Sequence, residues 1–364
     1  MSILTSTRSA ACAALMLASA GTSAQSLSDL RPSPEPLVLR SQGSFFVGGR
    51  TVETRSAGWG ELEGIFGESF EAGEVLVDQM YVQFQTPPEP SRTPIVFMHG
   101  GLLSSKQWET TPDGRMGWYE YFTRRGFPTY LAEQTGRARS GFDATAFNRV
   151  RDGEIPPGEQ PRVFLGTSEM AWKVFRFGPD VNEAWADVQF PVDHVEEFYK
   201  QVIPDTIETQ VPSLLGELVS PETDNPTVAN AATLARELGG AILVGHSQSA
   251  GFPTQAALKG MGGIEGIVQL ETGCFPNLTD DQVRVLARVP ILVVVGDRLG
   301  EHPEAPCTEE MDRIEAAGGD FTFLSLPAVG LEGNSHMFMQ DRNNLAVADL
   351  IVDWVIEHVE KPAR

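Results

Sequence analysis

The sequence predicts an α/β protein, with a mostly parallel, doubly wound sheet, an antiparallel N-terminal edge and a helical insertion. Three observations carry this. From Thr227 to the C-terminus helical and strand-like patterns alternate, and repeated units of that kind build parallel sheets with right-handed crossovers. The strands in that stretch are continuous apolar runs, as expected where a strand is covered on both faces. From Pro36 to about Gln85, GSFFVGG, RTVET and VLVDQMYVQF instead alternate or run apolar between glycines and polar residues, which suits an antiparallel edge.

Taken in order, residues 1–24 have the make-up of a secretory leader. Arg8 carries its only side-chain charge, Ala10 to Ala20 is a short apolar segment, and Thr22-Ser23-Ala24 resembles a small-residue cleavage site. Export is expected, with cleavage near Ala24 and a secreted or periplasmic mature chain. Cys12 lies inside the leader without a preceding leucine of lipoprotein type. Cys274 and Cys307 then remain as an even pair in an oxidising compartment, where one disulfide is the simplest expectation and two free buried thiols the alternative.

After the β-patterned edge, Pro87 to Thr93 is a Pro-rich connection, and IVFMHGG, Ile95 to Gly101, is a buried strand ending in two glycines. The N–H groups of such a loop suit a developing negative charge, or the loop is an ordinary tight turn. Trp118 to Arg125 reads as a helix, FPTYLAEQ as a strand and Gly136 to Gly141 as a turn. Residues 142–225 interrupt the alternation with eight prolines and the aromatics Phe164, Trp172, Phe175, Phe177, Trp185, Phe190, Phe198 and Tyr199. Helix-like pieces lie around Val192–Val202 and Ile207–Leu218. The segment is expected to form a cap over the catalytic edge, the alternative being a peripheral layer with its own aromatic core. That leaves 25–141 and 226–364 as the core. There the order is helix Thr227–Leu238, strand Ala241–Gly245, helix Gln248–Lys259, strand Ile264–Leu270, helix Asp280–Ala287, strand Ile291–Val295, helix Thr308–Ala317, strand Phe321–Leu326 and helix Asn344–Val359.

Of 364 residues, 41% are hydrophobic, and the formal net charge is −22. A surface that acidic repels nucleic acid and anionic membranes and favours neutral or cationic ligands, though it also simply keeps an exported protein soluble. No apolar run is long enough to span a membrane. No His/Asp cluster has metal-ligand spacing, so neither metal nor other cofactor is expected. Whether the chain is a monomer or a homodimer is open at this point.

The chemistry centres on AILVGHSQSAGFPTQ, Ala241 to Gln255, a buried strand that turns through a serine into a helix. Gly245-His246-Ser247-Gln248-Ser249 matches the nucleophile-elbow pattern G-x-S-x-G at its first glycine and its serine, with Ser249 in place of the last glycine. In that turn a strained backbone lifts the serine hydroxyl above the sheet, and small neighbours let strand and helix approach. A serine nucleophile needs a base, an orienting acid and donors for the oxyanion. Glu271 and Asp297 close consecutive strands on the same edge, Asp297 at the commoner position for the acid and Glu271 on a longer arm. Among the histidines near strand ends, His336 in the loop PAVGLEGNSHMF is the expected base and His302 its competitor; His99 and His246 read as structural.

The elbow GHSQS, the HGG loop, the stretch Trp108-Glu109-Thr110-Thr111-Pro112-Asp113-Gly114-Arg115, and above all Gly333-Asn334-Ser335-His336-Met337 running on to Gln340-Asp341-Arg342-Asn343-Asn344, resemble a small group of secreted bacterial esterases in the α/β-hydrolase superfamily. The resemblance covers roughly Gly43 to the C-terminus. It implies an α/β-hydrolase fold and a Ser-His-Glu triad whose acid follows the strand after the elbow. Carried onto this sequence, Ser247 is the nucleophile, His336 the base and Glu271 the acid, with the N–H groups of Gly101 and Gln248 as oxyanion donors and Asp297 as a secondary residue near the histidine. Ala138 stands where the usual GRGRS turn has its inner glycine. The reaction implied is acyl transfer from a small-molecule carboxylic ester. Lactones, amides, polymer esters and β-diketones are alternatives on the same triad, and a non-catalytic binding protein is the reading from another class.

Overall fold

The computed structural model describes residues 27–205, 220–271 and 273–360; the expected leader and the expected helix at Ile207–Leu218 lie outside the described residues. Among the described residues eight strands form one sheet. They are β1 Ser41–Thr54, β2 Gly73–Thr86, β3 Ile95–Met98, β4 Thr129–Ala132, β5 Ala241–His246, β6 Ile264–Leu270, β7 Ile291–Val295 and β8 Phe321–Ser325, in the spatial order β1-β2-β4-β3-β5-β6-β7-β8. β2 pairs antiparallel with β1 and β4, and every later pair is parallel. The fold class expected from the alternation is the one observed.

The apolar runs divide by strand periodicity. Ile95, Phe97, Ile242, Val244, Val268, Leu270, Leu292 and Val294 point to one face, into a core shared with Trp118 and Phe122 of helix Trp118–Arg124 and Val347 and Ile351 of helix Asn344–Trp354. Val96, Met98, Ala241 and Leu243 point to the other, against helix Pro226–Glu237, while Ile267, Ile291 and Val293 do so against helices Asp280–Leu286 and Thr308–Ala316. The aromatics Trp172, Phe175, Phe177, Phe190 and Phe198 are continuous with the first of these cores, and Phe177 stacks on Phe190 at 3.8 Å.

Several boundaries differ from the sequence expectation for physical reasons. GSFFVGG and RTVET form one strand of 14 residues, because Gly48 and Gly49, at φ of 66° and 97°, bend the backbone without breaking the pairing to β2. The expected helix from Gln248 begins as a tight turn at Ser247–Ser249 and becomes α-helical only at Phe252–Leu258. The last helix widens into a π-turn at Val355–Val359. Helices Thr145–Arg151 and Ser168–Val174 lie in the Pro-rich stretch where no helix–strand alternation marks them, although they are as long as the expected helices Trp118–Arg124 and Asp280–Leu286.

The register sets the site. Met98 lies opposite Gly245, His246 opposite Leu270, and Leu270 opposite Val294. Gly100, Ser247, Glu271 and Gly296 therefore leave the carboxyl edge at nearly the same height, where open parallel sheets bind ligands.

Candidate active site

Ser247 sits at φ 54°, a left-handed conformation that non-glycine residues hold only where the surroundings enforce it. The enforcement is local. A Cβ on Gly245 would lie 2.0 Å from the Ser249 carbonyl oxygen, so strand and helix meet at backbone distance. The Ser249 hydroxyl accepts the His246 N–H at 2.9 Å and lies 3.0 Å from the Met98 carbonyl, to which it can donate. The residue that departs from the elbow pattern thus ties β5 to β3. On the β3 side, a Cβ on Gly100 would come within 2.9 Å of His246 Nδ1 and 3.3 Å of Ser247 Cβ, and one on Gly101 would touch the Gln248 side chain. The two glycines let the loop after β3 close over the serine. Among the described residues the Gly101 N–H makes no backbone hydrogen bond. Leu102 beside it is held from both sides, donating its N–H to Asp205 at 3.4 Å and accepting the Ile203 N–H at 2.9 Å.

Glu271 follows β6 at φ 75° with its side chain buried. Its Oε1 accepts the Gly296 N–H at 2.9 Å, and its Oε2 lies 3.0 Å from His336 Nδ1 and 2.6 Å from Arg176 Nη2. Burial alone would raise this carboxyl; the His336 ring, then the Arg176 guanidinium, overcome it and hold the pKa at about 2. His336 donates its N–H to the Phe175 carbonyl at 3.0 Å, and its carbonyl accepts from His246 Nε2 at 2.9 Å. Its Nε2 is buried and has no hydrogen-bond partner among the described residues, the Ser247 hydroxyl included.

Asp297 does not touch the imidazole. Its two oxygens accept the N–H groups of Gly333 and Asn334 at 3.0 and 2.9 Å, fixing the start of the histidine loop. His302 is exposed and paired with Glu304. His246 and His99 are buried; desolvation first, then the His336 charge for one and Arg137 for the other, lower both pKa values to about 3. As neutral rings, His246 donates to the His336 carbonyl, and His99 bridges the Gly100 carbonyl and the Gln134 N–H.

Three residues were not singled out for a role in the site by the sequence. Asp341 is buried beneath the loop and accepts from Ser335 N–H, Ser335 Oγ and Asn334 Nδ2. Arg115, ion-paired with Asp113, donates to the carbonyls of Gln340 and Asp341 and to Asn344 Oδ1. The two stretches that carry the resemblance are therefore the two halves of one brace, a signal already present in their joint occurrence. Arg176 follows the helix Ser168–Val174 at φ 60° and had no signal at all. Farther along the same sheet edge, Cys274 and Cys307 are joined as a disulfide, as expected.

A parallel sheet that begins with an antiparallel edge and delivers a strained serine, an imidazole and a carboxylate to one rim is the architecture of the α/β-hydrolases. The chain belongs to that superfamily. It is similar to the atomic-resolution structure of a novel bacterial esterase, with 43% identity and a TM-score of 0.81 over 90% of this chain and 99% of that one. It is also 26% identical over 330 residues to a probable secreted lipase, phiG, of a fungal species (strain ATCC 74256), covering 76% of this chain and 85% of that protein. No protein-family model matches the chain.

Proposed function

We propose that the protein is an exported serine carboxylesterase that cleaves neutral, small-molecule carboxylic esters through an acyl-enzyme on Ser247, His336 and Glu271. The observation that carries this reading is the 3.0 Å contact between Glu271 Oε2 and His336 Nδ1 beside the strained Ser247 turn. His336 Nε2 takes the Ser247 proton as the serine oxygen attacks the ester carbonyl. The Gly101 and Gln248 N–H groups receive the oxyanion, and the imidazolium returns the proton to the leaving alcohol. Water then repeats the sequence on the acyl-enzyme and releases the acid. Glu271 holds the ring and stabilises its charge in both halves, and each oxyanion donor contributes about 3–4 kcal/mol to the barrier reduction.

Residues 142–225 are assigned as a cap over a core of 25–141 and 226–364. The 5.7 Å approach of Phe175 to the His336 ring supports a water-poor, aromatic pocket for an acyl or alcohol group. The esterase and lipase relatives support ester cleavage. The secreted relative and the Cys274–Cys307 bridge support export, to the exterior or the periplasm, with a leader removed near Ala24. No helix among the described residues is long and apolar enough to cross a membrane.

The test is hydrolysis of short p-nitrophenyl esters by the mature protein. Ser247→Ala and His336→Ala are expected to lower kcat/KM by at least about a thousandfold with unchanged circular dichroism. A phosphonate should add its mass to the wild type and not to Ser247→Ala. Undiminished turnover by the alanine variant would end the assignment.

A further inference from the structure

Among the described residues, Arg176 is the cationic side chain at the Glu271–His336 pair that the acyl-transfer steps above do not use. Its Nη2 donates to Glu271 Oε2 at 2.6 Å, and its Nη1 lies 3.1 Å from His336 Nδ1. Among the described residues these are the only polar contacts of its side chain, and its Nε is buried without a partner. The residue is held in the left-handed region, although glycine would take that conformation freely. The preceding carbonyl, of Phe175, accepts the His336 N–H, so the same short stretch of chain fixes both the base and the guanidinium.

Satisfying Glu271 does not require this cation. Oε1 already has the Gly296 N–H and Oε2 already has His336 Nδ1. Nor can both contacts at Nδ1 be hydrogen bonds at once. With the proton on Nδ1 donated to the carboxylate, as acyl transfer requires, Nη1–H meets an N–H, and the guanidinium, bonded to Glu271 and not to the imidazole, lies against the ring as a positive charge. Protonating the second nitrogen of the ring would then place an imidazolium beside a guanidinium. The other groups that face or brace His336 are Glu271 at the end of β6, the neutral His246 at the end of β5, and Asp297 and Asp341 on the loop backbone. Arg176 is the only cation among them.

We propose that Arg176 is a positioning residue that acts through the Glu271–His336 pair, its cation keeping the imidazole free to accept the serine proton in acidic medium. It extends the working range downward in pH by making the doubly protonated ring costly. It also locks the carboxylate in the orientation His336 needs, with Gly296 on one oxygen and the planar guanidinium on the other. The inference rests on the assignment of Ser247, His336 and Glu271 made above.

The experiment compares the pH profile of kcat/KM, on a neutral short-chain ester, for wild type, Arg176→Met, Arg176→Lys and Ser247→Ala. The acid limb belongs to the coupled group rather than to one residue. It is expected to move to higher pH by about one unit in the methionine variant, where the cation is gone. Lysine, which restores charge without the fork, should return the limb toward wild type while its plateau stays lowered. KM for the neutral ester should change little in either. Should the methionine variant not fold, Arg176→Gln removes the same charge and keeps one donor for Glu271. A limb unmoved in the charge-removing variant, or moved equally far in the lysine variant, overturns the proposal. If Ser247→Ala remains active the triad assignment itself fails; if it is inactive and the limb is unmoved, only the role of Arg176 does.

Discussion

Exchanging Glu271 and Asp297, one at a time, for their amides separates the two carboxylates that close consecutive strands. Glu271 accepts three N–H groups on two oxygens, from Gly296, His336 and Arg176. Glutamine offers one acceptor oxygen, so either Gly296 or the His336–Arg176 side is left facing an NH2 group. The larger loss is charge. With Oε2 and Nδ1 3.0 Å apart the charge centres of carboxylate and imidazolium lie about 4 Å apart, worth about 4 kcal/mol at an effective dielectric of 20. Glu271→Gln should therefore lower kcat about a thousandfold. Asp297→Asn keeps one acceptor for the Gly333 or Asn334 N–H and carries no charge toward the ring. It should cost about 1–3 kcal/mol of stability and less than about tenfold in kcat/KM. Steady-state kinetics on a p-nitrophenyl ester, with thermal melts and Ser247→Ala as the floor, compare the two directly. An Asp297→Asn loss equal to or larger than that of Glu271→Gln would refute the reasoning and make Asp297 the acid.

Burial raises the Glu310 carboxyl to about 7, only partly opposed by its bond from the Phe275 N–H. With the folded value raised above the ordinary 4.5, stability is fully present below about pH 4.5 and lost as pH climbs through 7, by roughly 3 kcal/mol. Glu310→Gln should melt with the wild type at pH 4 and several degrees above it at pH 8; a gain at both pH values speaks against ionisation as the cause. Ser249→Ala removes the acceptor of the buried His246 N–H and should destabilise by about 1–3 kcal/mol, which an unchanged melting temperature would contradict. The Cys274–Cys307 bridge spans 33 residues of sequence, so the double serine variant should lose about 3–4 kcal/mol and show a melt indifferent to reductant, whereas the wild-type melt falls when reductant is added.

The parallel core is legible in the sequence because each of its strands is buried on both faces and reads as an unbroken apolar run, as in Ile291–Val295. The rim is legible for the same reason: once the strands are placed, Ser247 and Glu271 must leave adjacent strands at one height. What remains hidden depends on contacts far apart in the chain. Spacing alone puts Asp297 at the commoner position and Glu271 on a longer arm without choosing between them, and the difference comes from loop paths that turn one carboxylate toward the ring and the other toward backbone N–H groups. The helices between β4 and β5 stand outside the helix–strand alternation that marks equally short core helices such as Asp280–Leu286, and Arg176 reaches the site from a segment with no periodic pattern.

The histidine loop shows why the proposed base, on an irregular segment, can be as well placed as one on a strand. Glycine at 333 is required, because a Cβ there would lie 1.9 Å from the Asp187 carbonyl oxygen, and the neighbouring strand-like contact from Gln189 N–H to the Gly333 carbonyl closes at 2.8 Å. Asp297 grips the N–H groups of Gly333 and Asn334, Asp341 grips Ser335, and Phe175 and His246 take the N–H and carbonyl of His336 itself. Every residue from 333 to 336 is thus bonded through its backbone to a residue outside that stretch, and the imidazole has little freedom beyond rotation of its own side chain. Burial raises the Asp341 carboxyl to about 6 despite bonds from Ser335 and Asn334. A fold that keeps so costly a group beneath one loop fixes the proposed base in return, which makes the loop's rigidity, rather than its sequence position, the property on which the proposed acyl transfer depends.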